Sequence, residues 1–204
     1  MSYLTIGSGD TPALLSGKQT KGYADLWRKF LSENPPHYNS FASPIDALRT
    51  GAILEEVYLR MTDESCLYQV KFTGALDVFV SSVDFAYYKS GKLDLIEELK
   101  TIWMTDFIDV IRPINDLAET QQIEAIKKAF KNNYNQLQFQ LNCTGLEFGH
   151  LVFLAVKSYD DTENRLRVIE PNEIIKFRIP RDEKVISLIN ERGQIFQQVK
   201  DNFK

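Results

Sequence analysis

Three residues within Ser81–Thr101, SSVDFAYYKSGKLDLIEELKT, have the types and spacing to do chemistry together: Asp84, Glu98 and Lys100. The stretch reads as a β-hairpin, two runs of Val, Phe, Tyr, Leu and Ile joined at Ser90-Gly91. Side chains alternate faces along a strand, so Glu98 and Lys100 point the same way. A three-residue loop, Ser90-Gly91-Lys92, pairs Lys89 with Leu93 and sets Asp84 opposite Glu98. An even-numbered loop would send the two acids to different faces. Two carboxylates roughly 5 Å apart at Cβ repel unless something cationic lies between them. A hard divalent ion such as Mg²⁺ or Mn²⁺ takes oxygen ligands and keeps several waters. A lysine beside it can orient such a water or offset charge as a phosphodiester is attacked. Asp77 is the other candidate acid, but seven residues upstream at about 3.3 Å each places it roughly 23 Å from Asp84, so Asp84 is preferred. Taken alone, the three charges also fit solvated strand residues at a hairpin's open end.

The surrounding elements must bring these groups together. Upstream, Ser43 as N-cap, Pro44 at the first helical position and Asp46 in the first turn predict a helix through IDALRTGAILEEVYLRM. Before it, Ser32–Pro44 is rich in Pro, Asn and Ser and separates off a short helical unit around Ala24–Leu31. CLYQVKF, DVFVSSVDFAYY and KLDLIEELKT read as strands. From about Glu119 a long helical region runs to Thr144-Gly145, where the glycine suits the position just past a helix end. HLVFLAV reads as a buried strand, RLRVIEP and IIKFRIP as further strands. Val185, Leu188, Ile189, Phe196 and Val199 predict a terminal amphipathic helix. This order implies one α/β domain over 1–204 with a mixed sheet: an N-terminal helical unit to about residue 40, a core over about 41–180 and a C-terminal helix over about 182–204.

Composition narrows the classes. No apolar run approaches the roughly 18 residues of a membrane span, and the first residues lack the pattern of a signal peptide, so a cytoplasmic protein is expected. Cys66 and Cys143 make neither a disulfide framework nor a zinc site. His37 and His150 lack the spacing of a zinc site or a triad, and no Gly-rich phosphate loop is present. The net charge of −4 argues mildly against a generic nucleic-acid coat but leaves room for a local basic groove, for which Lys18, Lys21, Arg28 and Lys29 are candidates.

Asp84 followed by Glu98-Leu99-Lys100 resembles the core of the PD-(D/E)XK nucleases, with Val83 in place of the usual proline. Gly51 and Glu55 in RTGAILEE are similar to the Gly-x-x-x-Glu helix of the RecB-like and lambda-exonuclease-like branches. NYNQLQFQLNCTGLEFGHLVFLAV looks like the Tyr and Gln-x-Gln helix of that branch with its Thr-Gly end and following strand. TIGSGDTPALLSGKQTKGYADLWRKFL and FRIPRDEKVISLINE look like its opening turn and its closing strand and helix. The resemblance spans nearly the whole chain, and the nearest pattern is the phage lambda exonuclease, or YqaJ-like viral recombinase, family.

What the resemblance implies is an Mg²⁺-dependent 5′-to-3′ exonuclease on double-stranded DNA ends, with Mn²⁺ able to substitute. It implies a PD-(D/E)XK core, a ring-shaped homotrimer and a single-strand annealing partner, working in viral or prophage recombination in a bacterial host cell. Asp84 and Glu98, with the Leu99 carbonyl, would hold metal, and Glu55, or Glu56 if the helical phase differs, would complete a second ion's position. Lys100 would position or activate the water. Gln136 would hold the lysine or the water, or face solvent. Ser82 and Ser8 would contribute to a 5′-phosphate pocket, although Gly9 stands where the family has a serine and Asp106 where a basic residue is expected. Lys18 and Arg28 would contact DNA phosphates. Two alternatives stay open: a RecB-like or Cas4-like nuclease of other polarity, disfavoured by the missing iron–sulfur cysteines, and a catalytically silent DNA-binding protein on the same fold.

Overall fold

A computed structural model describes residues 4–32, 46–62 and 65–203. The chain opens with β1 (Ile6–Gly7), a 3₁₀ turn at Ser8–Asp10, α1 (Thr11–Leu14) and α2 (Lys21–Phe30). Helix α3 (Asp46–Leu59) precedes the strands β2 (Cys66–Thr73), β3 (Phe79–Lys89) and β4 (Lys92–Trp103). A helical passage follows, α4 (Met104–Asp106), a π-helical turn at Phe107–Ile111, and α5 (Arg112–Asn115). Then come α6 (Glu119–Ala129), α7 (Lys131–Thr144), β5 (Phe148–Val156), α8 (Asp161–Leu166), β6 (Ile174–Pro180) and α9 (Glu183–Asn202). The predicted cap at Ser43-Pro44 lies outside the described residues.

The sheet is mixed, in the order β1-β3-β4-β5-β6 with β2 also on β3. β4 and β5 are parallel, connected through the α4–α7 passage, and β1 runs parallel to β3; the other pairs are antiparallel. β5 is buried continuously over Leu151–Val156, as a central strand covered on both faces should be, whereas β2 alternates half-buried and exposed. One apolar cluster lies beneath α7, with Ile96, Leu137, Leu141, Leu151 and Phe153. A second lies beneath α3, with Ile53, Leu54, Phe85, Leu99 and Val152. In the third, α1 and α2 pack on α9, with Trp27 stacked on Phe196 at 4.0 Å. Gly193 lets α9 sit against Phe79: a Cβ there would fall 2.1 Å from Phe79 Cζ.

Three expectations are corrected. The hairpin loop has two residues, with Lys89 paired to Lys92 and both Ser90 (φ +51°) and Gly91 (φ +75°) left-handed, the twist that suits a tight hairpin. A bulge then shifts the register, so Tyr88 pairs with Leu93 but Tyr87 with Leu95. Asp94 is the extra residue, and it restores the parity that an odd loop was expected to supply. The region after Glu119 is two helices, because Phe130 leaves the helical range (φ −126°, ψ 43°) and its ring packs on Phe153 at 4.7 Å. RLRVIEP is not a strand. Leu166 ends α8, and Leu166 and Val168 stand 78% exposed while Arg167 turns inward to Glu173 at 2.7 Å.

Candidate active site

The backbone creates the site by leaving one strand edge open. β2 occupies one edge of β3 from Val80 to Tyr87. The other edge is shared: β1 pairs at Phe79–Val80 and β4 pairs from Phe85 onward. Ser81–Asp84 lies between those two ladders, with backbone groups that side chains must satisfy. The Ser82 carbonyl accepts from Gln140 Nε2 at 3.1 Å and Ser8 Oγ at 3.3 Å. Across the gap the Leu99 N–H donates to Asp84 Oδ2 at 2.9 Å. Continued past Phe85–Glu97, the register sets Asp84 opposite Glu98, the arrangement expected from the sequence but reached through the bulge.

Glu98 is 1% exposed and fully engaged. Its Oε1 accepts from Lys100 Nζ at 2.5 Å and Gln136 Nε2 at 2.6 Å, and its Oε2 accepts from Gln140 Nε2. Gln136 and Gln140 are one helical turn apart on α7, so they reach one acid from one face. Gln138, the second glutamine of the Gln-x-Gln pattern, serves structure instead, donating to the Pro180 carbonyl and accepting from the Asp182 N–H.

Glu55 comes in from α3 and accepts from the Tyr68 hydroxyl at 2.9 Å. Glu56 turns away to Arg165 on α8, at 3.6 Å, so Glu55 is the acid facing the cluster. Burial, then the charges of Glu98 and Glu55, push the Asp84 carboxyl well above its ordinary range; Lys100 and the Leu99 N–H oppose this. Burial and the Glu98 charge likewise raise Glu55, against the bonds from Tyr68 and Gln69. Burial pulls the Lys100 ammonium down, but Glu98 and Asp84 outweigh it and hold it above the usual lysine range. Three acids thus face one ammonium, a surplus of negative charge that a divalent cation would offset. Carboxylate oxygens are the donors that Mg²⁺ or Mn²⁺ favours, so the residue set fits such an ion. As they stand, the carboxylates are turned onto protein donors, and no three His, Cys, Asp or Glu side chains among the described residues are spaced to hold a metal.

The remaining sequence candidates fall into two groups. Ser8 is buried and Ser82 exposed, both at the open edge beside Asp84. Lys18 is exposed in the turn after α1, and Arg28 pairs with Asp25 at 2.5 Å. Among the described residues no bond or ion pair ties Lys18 or Arg28 to the cluster. Lys29 closes the opening turn, gripping both oxygens of Asp10 at 2.6 and 2.7 Å. Asp77 lies before β3, where its carbonyl accepts from Lys200 at 2.7 Å. The Tyr134 hydroxyl goes to Asp182 at 3.0 Å.

Sequence reasoning missed Gln140, although its i+4 spacing from Gln136 was a usable signal. It also missed Tyr68, which no spacing announces, and a network on the opposite sheet face around Glu97. That carboxylate is 1% exposed and accepts from Tyr58 (2.6 Å), Tyr87 (2.8 Å) and Lys176 (2.8 Å), with His150 Nδ1 at 3.1 Å. It thereby ties α3, β3, β5 and β6 to β4 one residue before Glu98. Burial works to raise Glu97, but His150, Lys176 and Tyr58 hold it down to about 2.

No protein-family model matches the sequence, and neither does any curated protein. Solved structures do match. The alkaline exonuclease LHK-Exo of Laribacter hongkongensis superposes with a TM-score of 0.63 at 14% identity, over 99% of this chain and 92% of that one. Its complex with dAMP gives 0.62 at 15%, over 98% and 92%. A phage-related exonuclease of Haemophilus somnus 129PT gives 0.55 at 16%, over 98% and 97%. The likeness is one of fold. The chain shares the fold of these alkaline and phage-related exonucleases, a mixed central sheet flanked by helices. No helix among the described residues is long and apolar enough to cross a membrane.

Proposed function

We propose that the protein, as a single nuclease domain over residues 1–204, is a metal-dependent deoxyribonuclease that resects double-stranded DNA ends from 5′ to 3′. The observation that carries the reading is the meeting of Glu55, Asp84, Glu98 and Lys100 at the open edge of β3, on a fold shared with exonucleases. Asp84, Glu98, the Leu99 carbonyl and Glu55 would hold Mg²⁺, or Mn²⁺ in its place, as one ion or two. When bound, the ion would supply Lewis-acid stabilisation of the phosphodiester and lower the pKa of a water. Lys100, kept charged by its acids, would orient the attacking water and offset the charge that builds on the phosphate. Gln136 and Gln140 hold the Glu98 carboxylate in one orientation. Ser82 and Ser8 at the same edge would receive the terminal 5′-phosphate, with Lys18 and Arg28 available to phosphates farther along the duplex. A deoxynucleotide product agrees with the dAMP held by one structural neighbour.

By the same resemblance, the working form is a homotrimer ring that acts with a single-strand annealing protein in phage or prophage recombination, in the cytoplasm of a bacterial host. Linear duplexes with 5′-phosphate or 5′-hydroxyl ends, incubated with Mg²⁺ or EDTA, test the core of the reading. Mg²⁺-dependent loss of nucleotides from the 5′ end, abolished by Lys100→Ala, is the expected result. Digestion from the 3′ end would move the protein to a RecB-like or Cas4-like activity. DNA binding without any Mg²⁺-dependent cleavage would leave a silent DNA-binding protein on this fold. Gel filtration checks the ring: a species near 23.5 kDa in dilute native buffer contradicts the trimer.

A further inference from the structure

A strained backbone position lies inside a strand beside the acids. Gln69 sits within β2 with φ +51°, and the other described residue with a side chain and a positive φ, Ser90, is in the hairpin turn where that is ordinary. The β2–β3 ladder pairs Tyr68 with Phe85 and Val70 with Val83, but omits the pair between them, Gln69 with Asp84. In a regular strand the side chains of residues 68 and 69 would point to opposite faces. The left-handed turn brings them together instead. Gln69 Nε2 donates to the Tyr68 hydroxyl oxygen at 3.0 Å and the Tyr68 hydroxyl donates to Glu55 Oε2 at 2.9 Å, while the nearby Gln69 amide also favours the charged form of Glu55. Strain of this kind persists only where its surroundings enforce it, and it clusters at functional sites.

We propose that Tyr68 and Gln69 are positioning residues that hold the Glu55 carboxylate in place for a divalent cation, the left-handed backbone at Gln69 being the device that turns both side chains onto one acid. The inference rests on the reading of Glu55 as a metal ligand. Partners that orient a ligand typically change metal affinity by about 10-fold or more when removed. Calorimetric titration of Mn²⁺ into the full chain without DNA, together with thermal melting in EDTA, tests it. Tyr68→Phe, which removes only the hydroxyl, is expected to weaken Mn²⁺ binding about 10-fold and to raise the Mg²⁺ needed for half-maximal cleavage by a similar factor, with kcat at saturating Mg²⁺ near wild type. Gln69→Gly is expected to weaken Mn²⁺ binding while its melting temperature stays level or rises, since glycine accepts φ +51° without strain. A residue that merely supports the fold would do the opposite, lowering the melting temperature and leaving affinity alone. Wild-type Mn²⁺ affinity in both variants overturns the inference and leaves the nuclease reading standing. A wild-type chain that binds no Mn²⁺ overturns both.

Discussion

Replacing Glu97 by glutamine separates the charge of the buried network from its shape. An ordinary glutamate titrates near 4.5, and this one is held down to about 2 despite its burial, because His150, Lys176 and Tyr58 favour the charged form. The unfolded chain therefore takes up the proton more readily than the folded one. The carboxylate's contribution is whole above about pH 5.5, shrinks as pH falls through 4.5, and is spent below about 2. The difference in proton affinity corresponds to about 3 kcal/mol at pH 7 and about 1 kcal/mol at pH 3. Glu97→Gln keeps the size and still offers an oxygen to the two phenols, but it leaves Lys176 without its anion. With an m-value of about 2 kcal/mol/M, its urea midpoint should fall by about 1.5 M at pH 7 and by about 0.5 M at pH 3. Titrating groups away from this network are common to both proteins and cancel in that comparison. A midpoint difference below about 0.5 M at pH 7, or one equally large at pH 3, would refute the assignment of Glu97 as a charged, stabilising hub.

Gly193→Ala should destabilise by about 2 kcal/mol and lower the melting temperature by several degrees, because the new methyl meets the Phe79 ring at 2.1 Å; pairing it with Phe79→Leu should recover part of the loss. Gly145→Ala should cost about 1 kcal/mol in urea unfolding, since the residue ends α7 at φ +74°. Gln140→Leu should lower cleavage at least 10-fold with the far-ultraviolet circular dichroism unchanged, as Glu98 loses one of its restraints and the Ser82 carbonyl a donor. Asp84→Asn should abolish cleavage yet raise the melting temperature in EDTA by a few degrees, because it removes one of three acids that burial forces together.

Much of the architecture was legible in the chain itself. Alternation and β-branched runs announced β2 to β6 apart from their ends, and the periodic apolar residues of the last 20 positions announced α9. Hairpin parity came out right although the loop length was wrong, because the odd residue sits at Asp94 in the strand and not in the turn. Local sequence specifies a left-handed Ser-Gly turn; where a ladder slips by one residue depends on what both strands pack against. RLRVIEP shows the same limit, since Arg167 is drawn inward by Glu173, a partner that periodicity cannot see.

The candidate site divides similarly. Spacing alone put Glu98 and Lys100 on one face, hairpin register set Asp84 opposite Glu98, and resemblance added Glu55 and Gln136. Only the tertiary structure decided between Glu55 and Glu56, because a one-residue change of helical phase rotates a side chain by about 100° and the packing of α3 on the sheet sets that phase. It alone opened the edge of β3, where β1, from the far end of the chain, takes the place that β4 leaves. It alone brought in Gln140, Tyr68 and Gln69, whose contacts with the acids span up to 42 residues of sequence. Chemical type is a property of each residue and can be read along the chain; convergence is a property of long-range pairing, and no local signal carries it.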